Sequence, residues 1–359
     1  MNILLIQLKR IGDLILTTPA IAALHEKFPM AKISLAVSSA CAELLPAIPN
    51  IESPLGANSV RMWLEIARRN FDYCVDFTRN DRSSLLTRLS RAKTRIASER
   101  RKQRSTIRSR AYNTFVVAPV RQLHTIDYHL KLLEPIGIRG AAPAIQLNIP
   151  REARARAHQL CDAHKIDSGF ILFHPGSART QKFWEAQRWA ELIEHAGETY
   201  NVHLVLTSGR SSLEQSHLCE IKSKLRRSID SLAAASSPVR GALPSRSTPI
   251  GSIVDLSGQT DLLTLAALIE KARLLVTVDS APLHLATATR TPQVALFGPT
   301  NPFHWRPRNS PALILQGTST DPVREFSAEQ PRVPMNQIST RAVIDAMDAL
   351  LSMPAPQGS

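Results

Sequence analysis

Short, nearly continuous aliphatic runs alternate with helical stretches along the first half of this chain, and the alternation starts afresh in the second half. Residues 3–6, 33–37 and 73–77 read as strands in the first block; residues 170–174, 202–206, 274–278 and 293–297 do so in the second. Unbroken apolarity, without polar alternation, suits parallel strands covered on both faces. Helical stretches lie between them. Residues 19–28 form one, with Thr18 placed to cap it and Pro19 tolerated in its first turn. In another, Trp189, Leu192, Ile193 and Ala196 recur at helical spacing. Asp261 is placed to cap a third, whose Leu262, Leu265, Ala266 and Ile269 share one side. Two such blocks specify an α/β protein of two doubly wound, Rossmann-like domains. A chain of 359 residues is also too long for one ordinary core.

The boundary is expected between residues 150 and 168, through the helical stretch 151–164. That gives an N-terminal domain over 1–160, a second over 161–335, and a C-terminal helix with a frayed tail over 336–359. Residues 223–252 turn rich in Ser, Ala, Pro and Arg and read as a flexible insertion. No apolar run approaches the roughly 18–20 residues that span a bilayer. Lys9, Arg10 and Asp13 interrupt the one stretch that resembles a signal peptide. Cys41, Cys74, Cys161 and Cys219 stand far apart, which suits a reducing compartment, and the expected location is the cytoplasm.

Charge is unevenly spread. The formal net charge is +14, and eleven Lys or Arg against the single acid Glu99 fall between Arg82 and Arg110, leaving +4 elsewhere. Either this run is a solvated helix face or loop, or it meets a polyanion: nucleic acid, anionic lipid or an acidic glycan. It contains no aromatic residue, so the stacking platforms of single-strand binders are missing.

Ligands of doubly wound sheets bind beyond the carboxyl ends of the strands, so motifs just after strands carry most information. Lys9-Arg10-Ile11-Gly12-Asp13 follows the first strand, and Asp13 has two roles open to it, helix cap or proton acceptor. His174-Pro175-Gly176-Ser177-Ala178, with Lys182 and Trp184 beyond, is an ordinary turn or an anion site. Asp279-Ser280-Ala281-Pro282-Leu283-His284 ends a buried strand and opens a helix on Pro282, presenting amides and a positive helix end to a diphosphate; His284 either helps there or packs. Phe297-Gly298-Pro299-Thr300 suits a sharp turn nearby. G-x-G-x-x-G, the P-loop, D-x-D and metal-ligand spacings are missing.

Together these stretches, with Thr17-Thr18-Pro19 and Ser257-Gly258-Gln259-Thr260, resemble glycosyltransferase family 9, the ADP-heptose:lipopolysaccharide heptosyltransferases. The Asp-Ser-Ala-Pro turn and Phe303-His304-Trp305-Arg306-Pro307 look most like its heptosyltransferase III branch. The resemblance implies a GT-B fold, two facing domains with a cleft between them, and inverting transfer from ADP-heptose with no cofactor and no essential metal. It implies Asp13 as general base and Lys182 on the diphosphate. Ser177, Asp279, Ser280, Ala281 and His284 line the phosphate site, Glu214 matches a ribose-binding acid, and Thr260 falls near the adenine pocket. The implied acceptor is the lipopolysaccharide inner core at the cytoplasmic face of the inner membrane, held by Lys9 and by Arg100, Arg101, Lys102 and Arg104 of the basic run. The alternatives are another nucleotide sugar or acceptor and, from a different class, nucleic-acid binding through the basic run.

Overall fold

The computed structural model describes residues 1–55, 60–99, 110–166, 169–235 and 253–352. The chain forms two compact units, Met1–Pro150 with Phe303–Trp305, and Arg151–Pro302 with Arg306–Ser359. In the first, β1 (Asn2–Gln7), β2 (Lys32–Val37), β3 (Ser53–Leu55), β4 (Tyr73–Asp76), β5 (Thr94–Ser98) and β6 (Thr114–Val116) make one sheet in the order β3-β2-β1-β4-β5-β6. Every pairing is parallel, β1 meeting β2 from Asn2 opposite Lys32 to Gln7 opposite Val37.

The second unit repeats the plan. Its strands are β7 (Ile171–His174), β8 (Leu204–Leu206), β9 (Ile253–Asp255), β10 (Leu274–Val278), β11 (Gln293–Phe297) and β12 (Ala312–Gln316), in the order β12-β11-β10-β7-β8-β9, all parallel. Counted from its own first strand, each sheet therefore runs 3-2-1-4-5-6, the doubly wound order. The switch points lie between β1 and β4 and between β7 and β10, and the carboxyl ends of those strands are where such sheets bind ligands.

Helices cover the apolar faces. Met62 and Ile66 of the Val60–Arg68 helix and Leu86 of the Asp81–Leu89 helix pack with Leu4, Ile6 and Cys74. In the second unit Trp184 and Trp189 are fully buried edge to face, centroids 5.3 Å apart, and Trp184 Nε1 donates to Ile338 O at 2.9 Å. That bond anchors the lead into the Thr340–Ser352 helix, whose Ala342, Val343, Ala346 and Met347 join the same core. Asp261 caps the Leu262–Lys271 helix, its carboxylate accepting from Thr264 N–H at 2.6 Å.

Three expectations are revised. The N-cap of the Thr18–Lys27 helix is Thr17; Thr18 is already helical and donates to Ile15 O at 2.9 Å. The chain divides between Pro150 and Arg151, which gives the Arg151–Ala163 helix whole to the second unit instead of splitting it at 160. That helix buries Ala153, Ala157 and Cys161 and is tied to the second unit by side-chain bonds: Arg154 grips Glu270 with two nitrogens, at 2.8 and 2.9 Å, and Arg156 reaches Asp261 at 3.1 Å. The supposed insertion begins as helix, because Ser212–Ala235 is continuous and buries Leu218, Ile221 and Leu225. Residues 236–252 and the tail beyond Ser352 lie outside the described residues.

Candidate functional site

Lys182, Asp279, Ser280 and His284 lie beyond the carboxyl ends of β7 and β10, at the switch point of the second sheet. Lys182 ends a single 3-10 turn, Thr180–Lys182, in the segment after β7. Its Nζ donates to Asp279 Oδ2 at 2.6 Å and to Asp279 O at 2.9 Å, both side chains being largely buried. The Asp279 N–H is spent on Leu296 O at 3.0 Å, so the sheet holds this residue and it offers no amide to a ligand. Its carboxylate is matched by the lysine amine. The amides available are those of Ser280 and Ala281, at the start of the Ala281–Thr289 helix; Pro282 has none.

Two polar atoms there have no protein partner. Ser280 is the N-cap in an extended conformation, but its hydroxyl makes no capping bond and is buried. His284 Nδ1 is likewise buried and unbonded. Burial first, and the Lys182 charge after it, lower the His284 pKa to about 4 against the pull of Asp279, so the ring is neutral. Buried polar groups are normally satisfied, so these two unbonded atoms at one helix N-terminus single the place out among the described residues.

Glu214 reaches the same region from the first turn of the Ser212–Ala235 helix. Ser211 Oγ accepts from Glu214 N–H at 3.3 Å and donates to its carboxylate at 2.8 Å. A Cβ on Gly176 would stand 2.5 Å from Glu214 Oε1, and one on Gly209 would collide with the same carboxylate, so both loops need glycine for this acid to sit between them. His174 bonds Thr207 Oγ1 at 3.0 Å, and burial lowers its pKa to about 4. Ser177 is buried, its hydroxyl accepting from Arg179 N–H at 3.4 Å in a local turn. Thr260 is half-buried at the end of the 257–260 turn, which Arg210 Nε holds through Gly258 O at 3.0 Å. Arg210, Ser211 and Gln215, which donates to Ser208 Oγ and Gly209 O, were not foreseen; Ser-x-x-Glu over 211–214 is the signal that could have found Ser211.

In the first unit Asp13 lies at the switch point of its own sheet, on the short Ile11–Ile15 helix after β1. Arg10, not Asp13, holds the N-cap position, and Asp13 falls in the helix's first turn. Asp13 is 7% exposed, and Lys9 Nζ stands 3.8 Å from its Oδ1 and 5.6 Å from the centre of the Tyr128 ring. A carboxylate kept mostly from water beside a cation can take a proton from a hydroxyl brought to it. Arg100, Arg101, Lys102 and Arg104 lie outside the described residues. The Gln7, Thr17 and His129 side chains bond to one another near Asp13; Thr17 lies in the Thr17-Thr18-Pro19 stretch, while no sequence pattern pointed to Gln7 or His129.

A sequence model of glycosyltransferase family 9 (heptosyltransferase) matches residues 59–334, which takes in Lys182, Glu214 and Asp279 and begins after Asp13. The chain is 24% identical to lipopolysaccharide heptosyltransferase 3 of Escherichia coli over 353 residues, 95% of this chain and 96% of that protein. Among solved structures it is similar to a family 9 glycosyl transferase from Veillonella parvula, with TM-score 0.77, 21% identity and coverage of 98% of this chain and 97% of that one. It is also similar to the E. coli heptosyltransferase WaaC with ADP-2-deoxy-2-fluoro heptose, with TM-score 0.68, 17% identity and coverage of 97% and 99%. Two parallel sheets of one repeated order are the frame of the GT-B type of α/β fold, and with the family match over most of its length the chain belongs to glycosyltransferase family 9 and is a glycosyltransferase.

Proposed function

We propose that this enzyme moves a heptose from ADP-heptose to the inner core of lipopolysaccharide, with inversion and without an essential metal or other cofactor. The observation that carries the reading is the anion cradle beyond β10. There a lysine amine, the start of a helix and the two unbonded polar atoms Ser280 Oγ and His284 Nδ1 converge. Such a cradle fits a diphosphate, and the ADP-heptose analogue held by WaaC supports this donor.

Asp13 takes the proton of the acceptor hydroxyl as its oxygen bonds to the anomeric carbon, on the face away from ADP. The bond from that carbon to the phosphate oxygen breaks, and its electron pair leaves with ADP. Lys182, the Ser280 and Ala281 amides and the helix end meet the growing negative charge. Asp279 fixes the amine rather than touching the phosphates. Neutral His284 and Ser280 offer hydrogen bonds, Ser177 lines the same loop, Glu214 reads ribose hydroxyls and Thr260 lies toward the adenine.

The acceptor carries phosphates and carboxylates, which Lys9 and the basic residues Arg100, Arg101, Lys102 and Arg104 hold at the cytoplasmic face of the inner membrane. No helix of the described residues is long and apolar enough to cross a membrane. Exposed Val60, Leu64 and Leu85 stand among Arg61, Arg68, Arg82 and Arg88 on two helices covering one face of the first sheet, a composition suited to an anionic lipid surface. Mass spectrometry of the core from a strain lacking the protein tests the reading. The expected result is the loss of one heptose; loss of another sugar would move the donor assignment, and an unchanged core would refute the proposal.

A further inference from the structure

Gln7, the last residue of β1, is fully buried, and its side-chain amide touches both ends of the segment that carries Asp13. Gln7 Oε1 accepts from Lys9 N–H at 3.4 Å, at the start of that segment, and from Thr78 Oγ1 at 3.5 Å. Gln7 Nε2 donates to Thr17 Oγ1 at 3.0 Å, at its end, and Thr17 Oγ1 in turn donates to Asp13 O at 2.8 Å.

His129 completes the arrangement and fixes its polarity. Its Nε2 faces Gln7 Nε2 at 3.4 Å, and an amide nitrogen has only hydrogens to give, so His129 Nε2 is bare. The proton then sits on Nδ1, 3.1 Å from Leu16 O, which can only accept. Both neighbours thus demand one tautomer. Across the loop, Leu8 N–H donates to Thr78 Oγ1 at 2.6 Å, and Asp76 accepts from Thr78 N–H at 2.8 Å and Tyr112 OH at 2.6 Å, which pins the turn after β4. Ser38 Oγ donates to Lys9 O at 3.1 Å.

We propose that Gln7 is a positioning residue for Asp13, joining Lys9 N–H to Thr17 and, through Thr17, to the Asp13 carbonyl, with His129 holding the amide in one orientation. The inference rests on the reading of Asp13 as the base. Displacing a reacting group by about 1 Å can lower turnover on the order of 100-fold. Gln7→Leu and Thr17→Val, each close in volume to the native residue, should therefore lower kcat about 10–100-fold and leave ADP affinity unchanged in calorimetry. Thr17→Ser, which restores the hydroxyl, should recover most of the turnover.

The deciding measurement uses the full chain with ADP-heptose and acceptor, in a double-mutant cycle with Asp13→Asn. If Gln7 acts through Asp13, adding Gln7→Leu to Asp13→Asn causes no further loss of kcat; a merely structural contribution would multiply with it. Multiplied losses, or wild-type kcat in both Gln7→Leu and Thr17→Val while Asp13→Asn collapses, would overturn this inference alone. Full turnover in Asp13→Asn would instead remove the base assignment, and this inference with it. Should Gln7→Leu fail to fold, the Thr17→Val and Thr17→Ser pair, each crossed with Asp13→Asn, decides by the same criterion.

Discussion

Lys182 is gripped by one side-chain and one main-chain oxygen of Asp279, so its amine is fixed before any donor arrives. A preorganised cation acts most strongly on charge that develops as the glycosidic bond breaks. Lys182→Ala should lower kcat as well as donor affinity, by about 2–4 kcal/mol in total from the transition state. A change confined to KM would mean the lysine binds ground state and transition state alike. Asp13→Asn keeps shape and removes the proton acceptor; turnover should fall about 10²–10⁴-fold with melting temperature and ADP affinity nearly intact. A variant keeping more than about a tenth of its turnover would end the base assignment. Acid should also weaken the fold. His129, His174 and His284 are buried, with pKa values lowered to about 3, 4 and 4 from 6.5. Because these folded-state values are depressed, the unfolded chain takes up protons first, from about pH 6.5 downward, and stability is lost as pH falls from there toward 3. Asp76, whose carboxyl burial pushes upward, binds its proton earlier in the folded state and offsets part of the loss. Tm should drop between pH 7 and 4; a flat profile would contradict three neutral histidines.

Among the elements, helix starts and strand-end turns hold the residues proposed to meet the donor. The Ala281–Thr289 helix starts with no side-chain cap, which leaves its first amides without a side-chain partner. ADP should bind in the presence of excess chelator, measured by calorimetry; binding that vanishes and returns only with magnesium would defeat the account in which backbone and lysine meet the phosphates. The strand-end turns were legible in advance because Gly, Pro and acidic residues punctuate a chain locally, and the Asp261 cap was legible for the same reason. The Ser212–Ala235 helix is not legible beyond residue 223 because the Ser- and Arg-rich composition there reads as a loop. The buried Leu218, Ile221 and Leu225 nevertheless continue the helical spacing. Of the two roles the sequence leaves open to Asp13, the N-cap position goes to Arg10, because helical geometry begins at Ile11.

Across the whole molecule the net charge is +14, concentrated in one segment. Replacing Arg100, Arg101, Lys102 and Arg104 with Ala should weaken acceptor use or recovery on anionic vesicles and spare ADP affinity. The wild-type effect should fade as salt shortens the Debye length below about 8–10 Å. Equal acceptor kinetics and vesicle recovery for both proteins would leave the segment a solvated loop. The sequence by itself determined two doubly wound blocks and the family they resemble, because strand apolarity, helical spacing and strand-end turns are local patterns. It also placed Asp13, Lys182 and Asp279 just beyond strand ends. Only the tertiary structure decided which of these groups meet. Lys182 and Asp279 are 97 positions apart, and Gln7 and His129 are 122 apart. Their pairing depends on β10 lying beside β7 and on the Thr125–Lys131 helix packing near the Thr18–Lys27 helix, an arrangement set by how the sheets and their covering helices bury apolar surface together. No local pattern records that neighbourhood, which is why the partners of each site residue became visible only in the fold.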